Sequence, residues 1–283
     1  MQDIKKYIEN ALSFQSFQFK NNKNLDDKLN YYENAKADAV HCYHKIKKFL
    51  KKDKDILEIG GGIHLLTSYL NQEYKITSIE PGRFTAFTDE IRGQILKKKQ
   101  LNIHKTTLEE FKTDKKFDFI FSMNVLEHTK NITEHLNCCI NLLKDKDSII
   151  FIQCPNYTFP FEPHFYEFFL PFFPKFSFEK IKKKKLIKKF GIEKYNNIFE
   201  NLNFNCTYKN IKNKNFKIEF FNPIKDIFDR ILIDEKFKER ILSNYFIKIT
   251  YKFIIFFKLE KLLYKIFPKF ICPYMIFVIK KKI

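Results

Sequence analysis

The sequence predicts an α/β fold in which a mostly parallel sheet is covered by helices on both faces. Between residues 55 and 153, short apolar segments alternate with helical ones, which is the order of a parallel sheet with helical crossovers. The segment Ser148–Gln153 is a near-continuous apolar run, as expected of a strand that is buried on both faces. Three consecutive glycines follow the first apolar segment, at a position where such sheets bind ligands.

The individual elements follow from the spacing of the apolar residues. Residues 1–50 are predicted to be helical, because apolar side chains recur near helical spacing from Leu29 to Leu50. The first five strands are predicted at 55–59, 75–79, 101–104, 117–122 and 148–153, with helices at 63–71, 84–97 and 132–143. A sixth strand is predicted at Phe204–Tyr208. The apolar, β-branched run Pro273–Ile279 suits a buried last strand.

The composition changes after the fifth strand. Five of the nine prolines fall within twenty residues, interleaved with aromatic residues: Pro155, Pro160, Pro163, Pro171 and Pro174. They exclude a regular helix, and the stretch is too apolar for a solvated linker, so we expect an ordered loop or lid at 155–178. Helical spacing returns at 178–200 and from Asn222 to Phe267.

These patterns predict four parts along the chain. They are an N-terminal helical segment (1–50), a core (51–210) that includes the lid, a helical insert (211–270) and a last core strand (271–283).

The charge of the chain bears on its partners. The net charge is +19, and all but four of the 52 lysines and arginines are lysines. Proteins that read nucleic acids usually depend on arginine for bidentate contacts, so a lysine-solvated surface is favoured over a nucleic-acid footprint. We expect no DNA partner, and RNA is disfavoured. Attraction to an anionic substrate or membrane surface stays open.

The sequence also bears on location and metal content. The first nine residues carry four charges with no apolar signal after them, and no run of about 18 uncharged apolar residues occurs, so a cytoplasmic protein is expected. The six cysteines show no zinc-ligand spacing, and no metal site is predicted. The segment Tyr245–Phe257 is nearly all apolar. A buried helix is favoured there, and peripheral contact with the inner face of the membrane stays open.

The strongest functional signal is the sequence Asp55-Ile-Leu-Glu-Ile-Gly-Gly-Gly-Ile-His64. The chain has only six glycines, and three of them are Gly60, Gly61 and Gly62. Clustering glycines directly after a strand indicates positive φ angles or the close approach of the backbone to a ligand. A strand, a glycine turn and a helix together let backbone N–H groups face a cofactor.

The second signal is Glu80, which follows the second predicted strand and lies twenty residues after Gly60. Neighbouring parallel strands end at the same edge, so this carboxylate is expected beside the glycine turn. There it can accept hydrogen bonds from both hydroxyls of an adenosine ribose. The two signals do not by themselves distinguish NAD from other ribose-containing cofactors.

Several motifs resemble those of class I methyltransferases that use S-adenosylmethionine (SAM). They are Glu58-x-Gly60-x-Gly62, Glu80, and Phe117-Asp-Phe-Ile-Phe-Ser-Met-Asn-Val-Leu-Glu-His128, followed by Leu142-Leu-Lys144 and the fifth strand. The resemblance covers about residues 50–160. It implies SAM as cofactor and a Rossmann-like sheet of seven strands in which the last is antiparallel. The helices of 222–267 would then be an insert before that strand.

The same resemblance implies roles for single residues. Glu58, Gly60, Gly61 and Gly62 would flank the methionine part of SAM and Glu80 would hold its ribose. Thr107 stands where the family often has an aspartate for the adenine, which leaves the backbone N–H of Leu108. Ser122 and Asn124 would line the methyl-donor pocket. His64 departs from the pattern, because a small residue is usual there.

A third signal lies at the start of the lid, in Cys154-Pro-Asn-Tyr-Thr-Phe-Pro-Phe-Glu-Pro-His-Phe165. Methyl transfer to a hydroxyl needs a group that removes the proton, and a histidine oriented by a carboxylate can do this. His164 is therefore predicted as the general base and Glu162 as the residue that orients it or the substrate. The alternative, that both only anchor the loop, stays open. His128 is a weaker candidate.

The Phe-Pro-Phe-Glu-Pro-His-Phe stretch resembles methyltransferases associated with bacterial surface polysaccharides. The resemblance implies a sugar hydroxyl as acceptor, on a small molecule, a glycan or a glycolipid. An RNA methyltransferase and a non-catalytic nucleotide-binding scaffold are the alternatives.

Overall fold

The computed structural model describes residues 3–9, 25–82, 100–212, 216–242, 245–266 and 268–281. The strands are β1 (Asp55–Ile59), β2 (Lys75–Ile79), β3 (Asn102–His104), β4 (Phe119–Met123), β5 (Ile149–Pro155), β6 (Phe161–Glu162), β7 (Glu167–Phe168), β8 (Lys217–Phe221) and β9 (Tyr274–Lys280). The helix predicted at 84–97 lies outside the described residues.

Helical segments connect these strands, and residues 4–9 are also helical. The helices are α1 (Leu25–Ile46), α2 (Leu65–Leu70), α3 (Ile132–Asn141), α4 (Pro174–Phe176), α5 (Lys183–Phe190), α6 (Ile192–Glu200), α7 (Tyr208–Lys212), α8 (Pro223–Ile233), α9 (Glu235–Leu242), α10 (Tyr245–Phe256) and α11 (Glu260–Ile266). Short 3₁₀ turns form at Lys47–Phe49 and Leu126–His128, and Ser177–Lys182 is π-helical.

The main sheet has seven strands in the order β3-β2-β1-β4-β5-β9-β8. The strands β1, β2 and β3 are parallel, with Ile59 beside Ile79 and Ile79 beside His104. The last two strands are antiparallel, running from the pair Lys217–Lys280 to the pair Phe221–Ile276. The predicted Rossmann-like, mostly parallel sheet with an antiparallel last strand and helices inserted before it is confirmed.

Two details of the predicted elements are wrong. Phe204–Tyr208 is not a strand: Asn203 accepts a hydrogen bond from the backbone of Asn205 (3.0 Å) and forms a turn that leads into α7. The sixth strand of the sheet is β8 instead. The long helical segment after Asn222 is also broken into α8 to α11, with a break at Lys258, where φ is +52°.

The chain divides into two compact units. The first comprises residues 1–121 and 138–150 and contains β1, β2 and β3 with α1 and α2. All six residues of α2 are buried. The Tyr7 hydroxyl contacts Ser68 Oγ in this helix at 2.6 Å, and the Tyr7 ring packs on Tyr69. This packing holds α2, which follows the glycine turn, in place.

The second unit comprises residues 122–137 and 151–283. Its core includes aromatic rings from the lid and from the helices that follow: Phe165 stacks on Tyr195, and Phe178 stacks on Phe204. The lid predicted at 155–178 contains no α-helix up to residue 173 and forms the short antiparallel pair β6–β7 there. Residues 174–178 are helical, against the prediction, because Pro174 lies in the first turn of α4, where a proline is tolerated. The predicted insert 211–270 holds β8 as well as helices α8 to α11.

The prediction of a buried helix at Tyr245–Phe257 is wrong. In α10, Tyr251 stacks on Phe228 of α8, but Ile249 is 48% exposed, Phe253 55% and Phe256 79%. The helix has apolar residues around most of its circumference, so packing against α8 and α9 leaves several of them exposed. In the described part of the chain, no helix combines the length and apolarity that crossing a membrane requires.

Candidate active site

The glycine turn in the first unit begins where β1 ends. Gly60 and Gly62 have φ angles of +79° and +57°, in the left-handed region that favours glycine. Gly60 N–H donates to Ile79 O (2.9 Å) in the next strand, and His64 N–H donates to Gly61 O (2.8 Å). The turn is therefore fixed at both ends before the chain enters α2.

The two later glycines are required for different reasons. A Cβ atom on Gly61 would collide with Ser78 Oγ and with the His64 ring. The His64 side chain is fully buried behind the turn. Its ring occupies the space that a side chain at position 61 would need, so the unusual histidine requires a glycine there. At Gly62 nothing lies within 4 Å of the Cβ position, and the constraint there is the φ angle.

This difference predicts a double-mutant result. Gly61→Ala should reduce the free energy of unfolding by about 1–3 kcal/mol through overpacking, and His64→Ala in the same chain should relieve part of that loss, because the collision with the His64 ring is removed and the one with Ser78 Oγ stays. Gly62→Ala should cost about 1–2 kcal/mol through its φ angle, and His64→Ala should not relieve it. Urea unfolding of the wild type, the three single variants and the two double variants measures the coupling energy of His64→Ala with Gly61→Ala and with Gly62→Ala. Equal coupling at the two positions would contradict the assignment.

Glu80 lies beside the turn, as predicted. Its Oε2 accepts from Gly62 N–H (2.9 Å), and its Oε1 accepts from Gly82 N–H (3.1 Å). Its own backbone N–H donates to His104 O (3.0 Å) at the end of β3. The carboxylate is 6% exposed and is held at the common edge of β1, β2 and β3.

Glu58 lies one residue before the end of β1 and accepts hydrogen bonds from Thr67 Oγ1 and from Ser78 Oγ (3.0 Å for Ser78). Burial raises the pKa of Glu58 to about 7, although these two hydrogen bonds act in the opposite direction. The structure therefore brings Glu58 to Thr67 and Ser78, two partners that sequence reasoning missed. Its bonds tie β1 to β2 and α2.

The raised pKa of Glu58 predicts how stability depends on pH. An acid whose pKa is about 7 when folded and near 4.5 when unfolded stabilises the fold fully below pH 4.5, and this contribution is lost as the pH rises through 7. We expect the fall in unfolding free energy between pH 4.5 and pH 8 to be smaller by about 3 kcal/mol in Glu58→Gln. Urea unfolding across this range measures it. Identical pH dependence in the two proteins would contradict the prediction.

Thr107 and Leu108 follow β3 by three and four residues, at the same edge as Glu80. Leu108 is buried, its C=O accepts from Phe111 N–H (3.2 Å), and Thr107 C=O accepts from the Thr106 hydroxyl (3.2 Å). No hydrogen bond between these residues and the glycine turn appears among the described contacts. Their predicted role toward the adenine stays a prediction.

Ser122 and Asn124 mark the end of β4. Ser122 is 1% exposed, and its Oγ has no hydrogen-bond partner among the described residues. Asn124 is exposed with a φ of +55°, and its N–H donates to Gln153 O (2.8 Å) in β5. A buried hydroxyl without a partner is a group that a ligand can satisfy, which is compatible with the predicted pocket-lining role.

In the second unit, the structure brings Glu162 and His164 together. His164 Nδ1 lies 2.5 Å from Glu162 Oε1, which also accepts from the Tyr157 hydroxyl (3.3 Å). Glu162 Oε2 accepts from Phe165 N–H (2.6 Å), and the carboxylate is fully buried. Because a carboxylate accepts, the proton lies on His164 Nδ1, and Nε2 has the lone pair in the neutral ring.

Two further residues join this pair. Glu127 is fully buried, and His128 lies edge-to-face with His164, with ring centroids 5.2 Å apart. His128 Nδ1 donates to Asn201 O (3.0 Å). Glu127 and His128 end the motif Phe117 to His128, in which no function was predicted for Glu127.

The charges of this cluster shift one another's pKa values. Burial raises the pKa of Glu127 to about 7. Burial lowers the pKa of His164, but its hydrogen bond to Glu162 and the charges of Glu162 and Glu127 outweigh it, so that the net shift is upward. Burial and the neighbouring His164 lower the pKa of His128. Two histidines of different basicity therefore stand side by side, which is characteristic of functional sites.

The residues of the first unit fit an adenosine cofactor. Gly62 leaves open space where a side chain would stand, and Glu80 offers a carboxylate acceptor for ribose hydroxyls at the same edge. The α2 N-terminus and the glycine N–H groups add donors.

Comparison with known proteins agrees with this geometry. Residues 29–209 match the methyltransferase domain family. An uncharacterised protein of Mycobacterium tuberculosis, Rv1509, is 40% identical over 116 residues, which are 39% of this chain and 39% of that protein. N-methyltransferase 4 of Papaver somniferum is 30% identical over 110 residues (36% and 30%). The ubiquinone biosynthesis O-methyltransferase of Rickettsia bellii is 29% identical over 110 residues (38% and 44%). The matches span less than half the length of these relatives.

Solved structures are similar over most of the chain. A possible histamine N-methyltransferase from Thermotoga maritima covers 90% of this chain and 96% of its own, with 15% identity and a TM-score of 0.45. The plantazolicin methyltransferase BpumL covers 99% and 97%, with 13% identity and a TM-score of 0.45.

The family match extends over more than half of the chain and includes the glycine turn, Glu80 and the Glu127–His128 element. It supports an enzyme, rather than the scaffold that the sequence left open. The chain belongs to the methyltransferase domain family, and residues 29–209 form a methyltransferase domain of the class I, SAM-dependent kind.

Proposed function

We propose that this methyltransferase transfers a methyl group to a hydroxyl of a sugar or a related small acceptor in the biosynthesis of a surface glycan. The observation that supports an oxygen acceptor is the Glu162–His164 pair, with Nδ1 and Oε1 2.5 Å apart. A hydroxyl must lose its proton as it is methylated, and this pair presents the Nε2 lone pair that can take it. One matched relative is named as an N-methyltransferase and another as an O-methyltransferase, so their names do not decide between a nitrogen and an oxygen acceptor.

Two sets of residues have separate roles in the proposed reaction. Glu80 holds the ribose, and the backbone at Gly60, Gly61 and Gly62 lies along the methionine part of SAM. The bound cofactor supplies an electrophilic methyl group on a sulfonium.

On the acceptor side, Glu162 fixes the His164 tautomer and stabilises the imidazolium that forms when Nε2 takes the hydroxyl proton. Tyr157 and the backbone of Phe165 in turn fix the Glu162 carboxylate. The three hydrogen bonds from Tyr157, His164 and Phe165 N–H keep this buried carboxylate in one orientation.

Transfer of tritium from methyl-labelled SAM into a cell extract tests this function. We expect label in a small-molecule or glycan fraction, in a form that resists ribonuclease and protease. Label that ribonuclease releases, together with RNA binding that weakens with salt, would establish the RNA alternative instead. Label in protein would also overturn the proposal.

A further inference from the structure

Glu127 is a buried carboxylate with no hydrogen-bond partner for either oxygen among the described residues. Its side chain is 0% exposed. An isolated buried carboxylate is costly unless a cation or a donor approaches it. Among the described residues, its nearest charged neighbours are histidines rather than a lysine or an arginine: His128 Nε2 lies 3.9 Å from Glu127 Oε1.

Both neighbouring histidines present the same ring nitrogen. His128 Nδ1 donates to the backbone carbonyl of Asn201 (3.0 Å), and His164 Nδ1 donates to Glu162 (2.5 Å). These acceptors fix the tautomer of each neutral ring, so that Nε2 carries the lone pair in both. Metal-binding histidines have this arrangement: the second nitrogen donates to a carboxylate or a backbone carbonyl.

We propose that Glu127, His128 and His164 form a binding site for a divalent transition-metal ion such as Zn²⁺ or Co²⁺. One ligand atom from each residue lies within 4.8 Å of the other two. Ligand atoms around tetrahedral zinc lie roughly 3.4 Å apart, so small side-chain rotations close the site. Two imidazoles and one carboxylate leave a fourth position open for water or an acceptor oxygen.

The site shares His164 with the proposed function and in that respect rests on it. The Nε2 lone pair of His164 can bind a proton or a metal ion but not both. His164 therefore cannot act as the proposed general base while the metal ion is bound. Loading the metal is therefore expected to slow methyl transfer, and the ion competes with the acceptor's proton for Nε2.

Cobalt titration followed by visible absorption tests the site without any turnover. The wild type should bind one equivalent of Co²⁺ with the d–d bands of a four- or five-coordinate ion, and Zn²⁺ should displace it. Glu127→Gln, His128→Ala and His164→Ala should each weaken binding at least 100-fold. Glu162 hydrogen-bonds His164 but is not a proposed ligand, so Glu162→Gln should weaken Co²⁺ binding by a smaller factor of 10 to 100. His44→Ala, an exposed histidine elsewhere, should change nothing.

His128 is 36% exposed, so its replacement should leave the fold intact, and circular dichroism checks this. No cobalt binding by the wild type, or undiminished binding by His128→Ala and Glu127→Gln, would overturn the site. Binding at these residues that accelerates methyl transfer would uphold the site and overturn the general-base role of His164. The result that overturns the metal site therefore differs from the result that overturns the general-base role of His164.

A second inference concerns the exposed surface of residues 245–271. Its exposed apolar side chains include Ile249, Phe253, Phe256, Phe257, Leu262 and Ile266. Its exposed lysines are Lys248, Lys252, Lys258, Lys261, Lys265 and Lys269, and Glu260 is the single acid in that range. We propose that this surface docks on an anionic lipid bilayer, because such a bilayer complements both the apolar face and the lysines.

Vesicle sedimentation tests the docking surface. The wild type should sediment with vesicles rich in phosphatidylglycerol at low salt, and much less with phosphatidylcholine vesicles or at 0.5 M salt. Phe253→Ser with Phe256→Ser should abolish binding. Phe172→Ser, which changes an aromatic side chain that is 93% exposed but lies in the lid, should not. Absence of vesicle binding, or self-association that the same double variant breaks, would overturn this proposal.

Discussion

Replacing His164 with alanine is expected to lower the rate of methyl transfer by about 10²–10⁴-fold, the usual contribution of a general base. SAM binding should be unchanged within about twofold, because the ribose and methionine contacts are proposed to lie with Glu80 and the glycine turn. Methyl-tritium transfer measures the first quantity, and isothermal titration measures the second. The change in kcat should exceed the change in KM, because the proton moves only in the transition state.

Two controls separate a base from a loop anchor. Added imidazole should restore part of the activity of His164→Ala, since it can enter the vacated space and take the proton, whereas it cannot repair a displaced loop. Glu162→Gln keeps the volume and a hydrogen-bond acceptor but loses the charge, so its rate should fall between those of the wild type and His164→Ala. Unchanged turnover in His164→Ala would leave only the anchoring role.

Replacing Glu80 with alanine is expected to raise the Kd for SAM about 100-fold. Hydrogen bonds to a charged group contribute about 1.5–3 kcal/mol, and 2.7 kcal/mol corresponds to a factor of about 100. The loss should be smaller in Glu80→Gln, which keeps one oxygen for Gly62 N–H. Isothermal titration measures the affinities.

Glu80 also holds the backbone of Gly62 and Gly82, so the fold of each variant needs its own check. Thermal unfolding gives that check, and Glu110→Ala, an exposed acid beyond β3, controls for the change in net charge. An affinity that falls equally in Glu110→Ala would show a charge effect rather than a ribose contact.

The placement of Glu80 beside the glycine turn was predictable because it depends on local spacing. Gly60 directly follows β1, and Glu80 directly follows β2. In a parallel pair with Ile59 beside Ile79, the following residues must meet at one edge. The position of the last antiparallel strand followed from the family resemblance and from the apolar run that ends the chain.

Other features depend on contacts between distant parts of the chain, and the sequence pattern did not reveal them. Glu58 finds partners in Thr67 and Ser78, one on a helix and one on the next strand. The tautomer of His128 depends on Asn201, 73 residues later. No periodicity shows that Glu127 is buried without a partner, because the chain that encloses it is remote in sequence.

Two of the wrong structural predictions have local physical causes. Phe204–Tyr208 has the residue types of a strand, but the Asn203 side chain forms a turn there, and Phe204 packs on the rings of Tyr157 and Phe178. The segment at α10 is apolar enough for a core helix, yet Ile249, Phe253 and Phe256 are exposed although Tyr251 stacks on Phe228 of α8. Propensity indicates a helix, and tertiary packing decides whether that helix is buried.

The central claim is that the backbone at Gly60–Gly62 and the Glu80 carboxylate together hold the adenosine and methionine parts of SAM. A crystal structure of the chain grown with S-adenosylhomocysteine tests it most directly. We predict both ribose hydroxyls within about 3 Å of the Glu80 oxygens and the homocysteine part along the glycine turn. A ribose that binds elsewhere, with Glu80 still bonded only to the backbone of Gly62 and Gly82, would contradict the account.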